Sequence, residues 1–354
     1  MRFNALALCR ATAMTAVLSL AGMASTAHAD DQVVLKIAHF LPAVAPAQTK
    51  VIGPWCDALA QKSQNRLVCQ IYPSMQLGGT PSQLVDQVRN GIADVVWTAP
   101  GYSAGRFPAI EAMELPFMVA NALDGSRMTW DYYNQFAKDE FNAYHVLAVH
   151  IDGGAVFHTA NKDIVNPLDI AGLKLRTSTR LSAKTLQALG GVPVSMPPAQ
   201  VTEAISKGVV DGGVMPWELM RPTKIDEVTR YHVSPPAGQP LVVGTVLTML
   251  MNQKKYDSLP ADLKAIVDET SGLPLVETFG RVWDEVTAAN MTYAAGLPGT
   301  VVHPLSAETY EKMRSVTVSI DQEWAGEVTK RGLNGQAMLD GARALSAKYF
   351  PVQN

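Results

Sequence analysis

The chain has 354 residues, a formal net charge of −3, 17% charged and 47% hydrophobic residues. That balance lacks the concentrated basic face nucleic acid demands, and no run beyond the N-terminal segment approaches the roughly 20 apolar residues of a membrane span. The length suits about two domains.

Residues 1–29 read as an export signal. Arg2 and Arg10 give a positive start, the apolar run 11–23 is too short to span a bilayer, and Ala27-His28-Ala29 is a small-x-small cleavage site before Asp30. Cleavage removes two basic residues and no acid, leaving a mildly acidic exported protein. Cys9 lies ahead of the apolar run, badly placed for a lipid anchor. In an oxidising compartment, Cys56 and Cys69 suggest a disulfide from the first helix to the next strand; two buried thiols are the alternative.

Residues 33–38 alternate as a strand that ends at His39; 48–61 is helical and 67–72 a second strand. A third, buried strand is expected at 92–97, a helix at about 125–141, and a strand at 146–151. Residues 155–159 are read as a crossing between lobes. Strands at 173–177, 192–195 and 242–251 follow, the first leading into a helix capped by Ser178 or Thr179 and stopped at Gly190-Gly191. The C-terminal third reads as helices at 261–271, 275–295, 306–330 and 336–349. Residues 81–94 align without a gap on 198–211, with Pro, Gln, Gly and Asp coinciding. Each copy is a helix opened by Pro, closed by Gly and feeding a buried strand. Two such lobes imply an α/β architecture with predominantly parallel pairing and a ligand cleft between them.

Candidate chemistry is sparse. Gly101-Tyr102-Ser103-Ala104-Gly105 has the spacing of a nucleophile elbow, but Pro100 and Pro108 flank it and oppose the helix a hydrolase needs there. The histidines show no HExxH or paired-Cys spacing, and nucleotide motifs are absent, so no cofactor is expected. Arg176 stands out. It ends a strand just before a helix N-terminus, where α/β proteins bind anions.

Gly172-Leu173-Lys174-Leu175-Arg176, the run 188–197 from Ala-Leu-Gly-Gly-Val to Met196-Pro197, and Gly208-Val209-Val210-Asp211-Gly212 resemble the DctP-like solute-binding proteins of TRAP transporters. Gln76-Leu77-Gly78-Gly79, Gly91-Ile92-Ala93-Asp94 and Leu115-Pro116-Phe117 extend the resemblance. It implies a type II-like periplasmic binding protein whose lobes are bridged by a long C-terminal helix. Lobe I would comprise 30–153 plus about 241–284, and lobe II 154–240 plus about 285–354. It also implies that Arg176 anchors a carboxylate, that a monomer delivers its organic acid to small and large membrane subunits, and that an ion gradient drives uptake. Many relatives continue with Gln-Glu-Asn-Pro where this chain has Gly213-Val214-Met215-Pro216 and then Trp217-Glu218. A second basic residue of some relatives is replaced near Val156. Apolar walls disfavour sugar acids and suit a monocarboxylate with an aromatic or aliphatic body. Trp97, Tyr102, Phe117, Met215 and Trp217 are the expected walls, His39 a second polar contact, and Glu218 the position to watch for a metal ion. The rival readings are a periplasmic serine hydrolase using Ser103 and a sensor-linked binding protein.

Overall fold

The computed structural model describes residues 32–351; the export signal and Cys9 lie outside them. Eleven strands follow in order: β1 (Val33–His39), β2 (Leu67–Tyr72), β3 (Val95–Thr98), β4 (Tyr144–Ile151), β5 (Ala155–Thr159), β6 (Lys174–Thr177), β7 (Val192–Ser195), β8 (Gly212–Pro216), β9 (Tyr231–Ser234), β10 (Val246–Asn252) and β11 (Val301–Pro304). They form two sheets, ordered β2-β1-β3-β10-β4 and β11-β9-β5-β8-β6-β7. The chain leaves the first lobe between β4 and β5, returns for β10, and crosses again before β11. The first two crossings run side by side: Ala155 N–H bonds the Val243 carbonyl at 2.7 Å and Asp152 N–H the Thr245 carbonyl at 3.1 Å.

Pairing is mixed, which corrects the expectation of mostly parallel sheets. β1 lies parallel to β2 and β3, β6 to β7 and β8, and β9 to β11. β10 runs antiparallel to β3 and β4, and β5 to β8 and β9. Parallel neighbours need a helical crossover. β5 and β10 instead enter straight from the interlobe crossing, starting at the edge where β1, β3, β6 and β8 end.

The internal repeat is reproduced bond for bond. Pro81–Gln83 and Pro198–Gln200 form single 3₁₀ turns that lead into helices Leu84–Arg89 and Val201–Ser206. Gly91 and Gly208 then take left-handed φ values of 75° and 68°, which spares a side chain the steric cost of that turn. Asp94 donates its N–H to the Lys36 carbonyl and accepts the Lys36 N–H on its carboxylate at 2.8 Å. Asp211 does the same with Lys174, also at 2.8 Å. Each Asp fixes the register between its own strand and the neighbouring parallel strand.

Helix Leu273–Ala295 spans the lobes, packing on helix Ala122–Tyr132 and β4 on one side and on turn Trp217–Leu219 and β11 on the other. Gly280 permits this, since a Cβ there would sit 2.6 Å from the Leu123 Cα. Asp284 on the same helix caps helix Ala122–Tyr132 by accepting the Ala122 and Leu123 N–H groups at 2.7 and 3.0 Å. The tail assigned by sequence to lobe II is shared. Helix Ala307–Thr317 packs on the second lobe, whereas helix Gly335–Tyr349 packs on helix Ala122–Tyr132 of the first. The single helix expected over 306–330 is broken at Val318, continuing as Ser319–Thr329.

Cys56, on helix Gly53–Lys62, is bonded to Cys69 on β2, with a Cα–Cα distance of 5.7 Å and a separation of 13 residues. Closing a loop of this length should contribute about 3 kcal/mol by restricting the unfolded chain. The double variant Cys56→Ala/Cys69→Ala is expected to lose that much in urea unfolding; an unchanged midpoint would show that the bridge contributes nothing.

Candidate functional site

The site is built where the repeat loses its symmetry. Counting from the Lys–Asp register bonds, Ala38 of β1 and Arg176 of β6 hold equivalent positions. Arg176 is 1% exposed and faces Gly213 across the β6–β8 pair. Its Nε donates to the Met196 carbonyl at 3.1 Å. Both Nη1 and Nη2 are buried with no hydrogen-bond partner among the described residues. Burial depresses its pKa, opposed by Tyr102 and Asp152. A guanidinium left so is costly unless an acceptor arrives.

Two adjoining chambers open in the cleft. The outer, about 530 Å³, lies between Pro81, Ser82 and Gly101 of the first lobe and Thr179, Lys184 and Met196 of the second. The inner measures about 30 Å³ and is walled by Phe40, Trp97, Leu247, Leu219 and Trp283, with Asp152 and Glu218 as its acidic members. Tyr102 and Ser178 face both chambers. Phe40 stacks on Trp97 at 5.1 Å and 7°, and Tyr102 meets Phe40 edge-on at 5.4 Å. Trp97 donates its indole N–H to His150 Nε2 at 3.0 Å, which fixes the ring.

The lobes meet closely around this site. Gly101 abuts Thr179, the N-cap of helix Arg180–Ala188; a Cβ on Gly101 would lie 2.7 Å from the Thr179 methyl. Ser178 and Thr245 hydroxyls bond across the gap at 3.1 Å. Arg180 pairs with Glu111 of the first lobe and with Glu327 of the tail, forming a latch at the mouth. Asp152 Oδ1 accepts the Gly154 and Thr245 N–H groups at 2.9 and 3.1 Å, and burial pushes its carboxyl up to about 6. Glu114 accepts the Val246 N–H at 3.0 Å and is pushed up to about 8, chiefly by burial.

Of the residues expected at the site, Trp97 and Tyr102 line the cavity, whereas Arg176 lines neither chamber and lies behind Met196 and Tyr102, which do. Met215 is buried on β8, close to Gly213 opposite Arg176. Trp217 lies behind the cavity, edge-on to His158 at 5.0 Å. His39 is fully buried with Nε2 bonded to Gln48 Oε1 at 2.9 Å, off the cavity wall. Phe117 is elsewhere, edge-on to Tyr310 at 5.3 Å in a surface groove with Arg314 and Arg343. Ser103 donates its hydroxyl to the Ser82 carbonyl at 2.8 Å, so the apparent elbow is a loop laid over the cleft rather than an activated nucleophile. Phe40, Asp152 and Trp283 were missed. Asp152 carried a signal, standing before Gly153-Gly154 at the crossing, whereas Phe40 and Trp283 look like ordinary core in sequence.

The raised carboxyls set a pH dependence. Glu114 titrates near 8 in the fold and near 4.5 when unfolded, so its contribution is present below about 4.5 and is lost as pH rises through 8. Glu114→Gln mimics the protonated form. Its Tm should approach the parent's below pH 4.5 and exceed it by several degrees at pH 9, about 2–4 °C per kcal/mol in a chain of a few hundred residues. An equal difference at both pH values would remove Glu114 from this role.

Residues 37–327 match the family described as bacterial extracellular solute-binding protein, family 7. A marine metagenome TRAP solute binding protein, solved with 3-hydroxybenzoate, is 38% identical, with 90% of this chain and 99% of that one covered and a TM-score of 0.87. A TRAP solute binding protein from Rhodoferax ferrireducens T118, solved with copurified benzoate, is 37% identical over 90% and 98% of the two chains, also at 0.87. The C4-dicarboxylate-binding periplasmic protein DctP of Rhodobacter capsulatus is 25% identical over 91% and 93% of the two sequences. Two lobes joined by paired crossings and a bridging helix, closed over a buried arginine, agree with that match: the chain belongs to family 7 of the bacterial extracellular solute-binding proteins.

Proposed function

We propose that this chain captures a small aromatic monocarboxylate between its lobes and delivers it to a TRAP permease. Family membership makes it a non-enzymatic periplasmic binding protein, and its partners are the acid and the membrane subunits. The observation that carries the choice of ligand is Arg176, with two buried and unpartnered nitrogens side by side on one planar group. A carboxylate accepts both in parallel, a pairing worth roughly 1.5–3 kcal/mol. A second carboxylate meets no comparable group among the described residues: Arg180 and Lys184 of the outer chamber are already paired with Glu111 and Glu327, and the position that some relatives make basic is Val156, 1% exposed and paired with Met215. Phe40, Trp97 and Trp283 supply flat faces for a ring. The benzoate of the Rhodoferax protein and the hydroxybenzoate of the marine protein support the same class.

Capture proceeds by closure. In the open form Arg176 attracts the anion through solvent. Docking Gly101 and Tyr102 over the site, and pairing Arg180 with Glu111, then excludes water and strengthens the ion pair in the lower dielectric.

Arg176→Met tests this with opposite signs in one experiment. Without ligand the variant should melt no lower than the parent, because it removes an unpaired buried charge. Benzoate should raise the parent's Tm, while its affinity for the variant falls by about 10- to 100-fold, the equivalent of 1.5–3 kcal/mol. Equal affinity in calorimetry would remove Arg176 from the anchoring role.

A further inference from the structure

Resting on that reading, we propose that the solute carries a hydroxyl group on its ring, and that Glu218 and Trp283 together recognise it. Both residues line the inner chamber, at 4% and 1% exposure. Glu218 Oε2 and Trp283 Nε1 are each buried with no hydrogen-bond partner among the described residues. One carboxyl oxygen and one indole N–H complement a hydroxyl, which donates one bond and accepts another. The contrast with Trp97 is informative. That indole lines the same chamber but has its N–H committed to His150, leaving it only a face to offer.

Position along β8 agrees. Gly213 lies opposite Arg176, and the strand runs on to Pro216, two residues before Glu218. Three strand steps at about 3.3 Å each separate the anchor from the Glu218 end by on the order of 10 Å. A benzene ring with a carboxylate at one end, a hydroxyl on the far side and a hydrogen bond at each spans a similar length. An acidic group facing an anionic ligand would ordinarily repel it. Burial, reinforced by neighbouring Asp152, raises the Glu218 carboxyl well above the usual carboxylate range, which disfavours the charge that would repel the ligand. Asp152 cannot take the same role as readily, since its Oδ1 already accepts two backbone N–H groups.

Isothermal titration of the full exported protein with benzoate, 3-hydroxybenzoate and 4-hydroxybenzoate tests the assignment. The parent should bind at least one hydroxybenzoate about 10-fold tighter than benzoate, the discrimination expected when an unsubstituted ring leaves two buried polar atoms unpaired. Glu218→Leu should abolish the preference, read as the ratio of hydroxybenzoate to benzoate affinity within the same variant, and a cooperative thermal unfolding transition reports that the variant is folded. Trp283→Phe, which keeps the stacking face, should reduce the preference and supplies the test if Glu218→Leu does not fold. Equal affinities for the three acids in the parent, or a preference undiminished in either variant, overturns the hydroxyl site and leaves the aromatic-acid reading standing. Binding of none of the three overturns both.

Discussion

The closed fold is organised around an unpaired guanidinium that cannot rest. Arg176 is removed from water by β6, β8 and Tyr102, yet only its Nε has found an acceptor. In a protein interior such a group normally has a full complement of partners, and the energetic cost of leaving it bare is what an incoming anion relieves. The deficit therefore does two things. In the anchoring role proposed for Arg176, it disfavours closure without ligand and favours closure with one, which is the property a carrier needs if its membrane partners are to distinguish loaded from empty protein.

The surrounding architecture serves that switch by being nearly symmetric. Both lobes fix their central strands with an aspartate that grips the backbone of a lysine on the neighbouring strand, and both place a positive-φ glycine between helix and strand. The repeat supplies two rigid jaws of similar build. Function is written into the departures from it: arginine in place of alanine at one strand end, and an aromatic-lined wall on the facing lobe. Helix Leu273–Ala295 and the paired crossings keep the jaws attached while their relative angle changes.

Buried ionisable groups give the fold a second layer of sensitivity. Glu114 and Asp152 are pushed upward, while burial lowers His158 well below its ordinary value and His232 to about 4, where the two share a short Nδ1–Nδ1 bond of 2.7 Å. The carboxyls favour the closed fold when protonated, and the imidazoles when neutral. Acid therefore strains one set and base the other, so stability is greatest between the two extremes.

How much of this was legible beforehand follows from what each signal is made of. The repeat, the α/β class and the position of Arg176 at a strand end are local or periodic features, and local features survive in one dimension: a glycine closing a helix, an arginine at a strand end, a family's run of glycines and prolines. The side chains that share a cavity are not periodic. Phe117 looked as good a wall as Trp97, and Phe40 looked like core, because an aromatic residue in sequence carries no mark of which face it will present. Likewise the amphipathic tail helices needed something to cover, but nothing in them said which lobe, so helix Gly335–Tyr349 was placed on the wrong one. Sheet direction at β5 and β10 was misread because their entry from the crossing is a fact of topology, not of composition. Sequence alone therefore determined most of the elements, the compartment and the strand-end position of Arg176, since these depend on near neighbours along the chain. Only the tertiary structure decided which walls share the cleft, because they are assembled from segments as distant as Phe40 and Trp283, brought together by packing that no short stretch encodes.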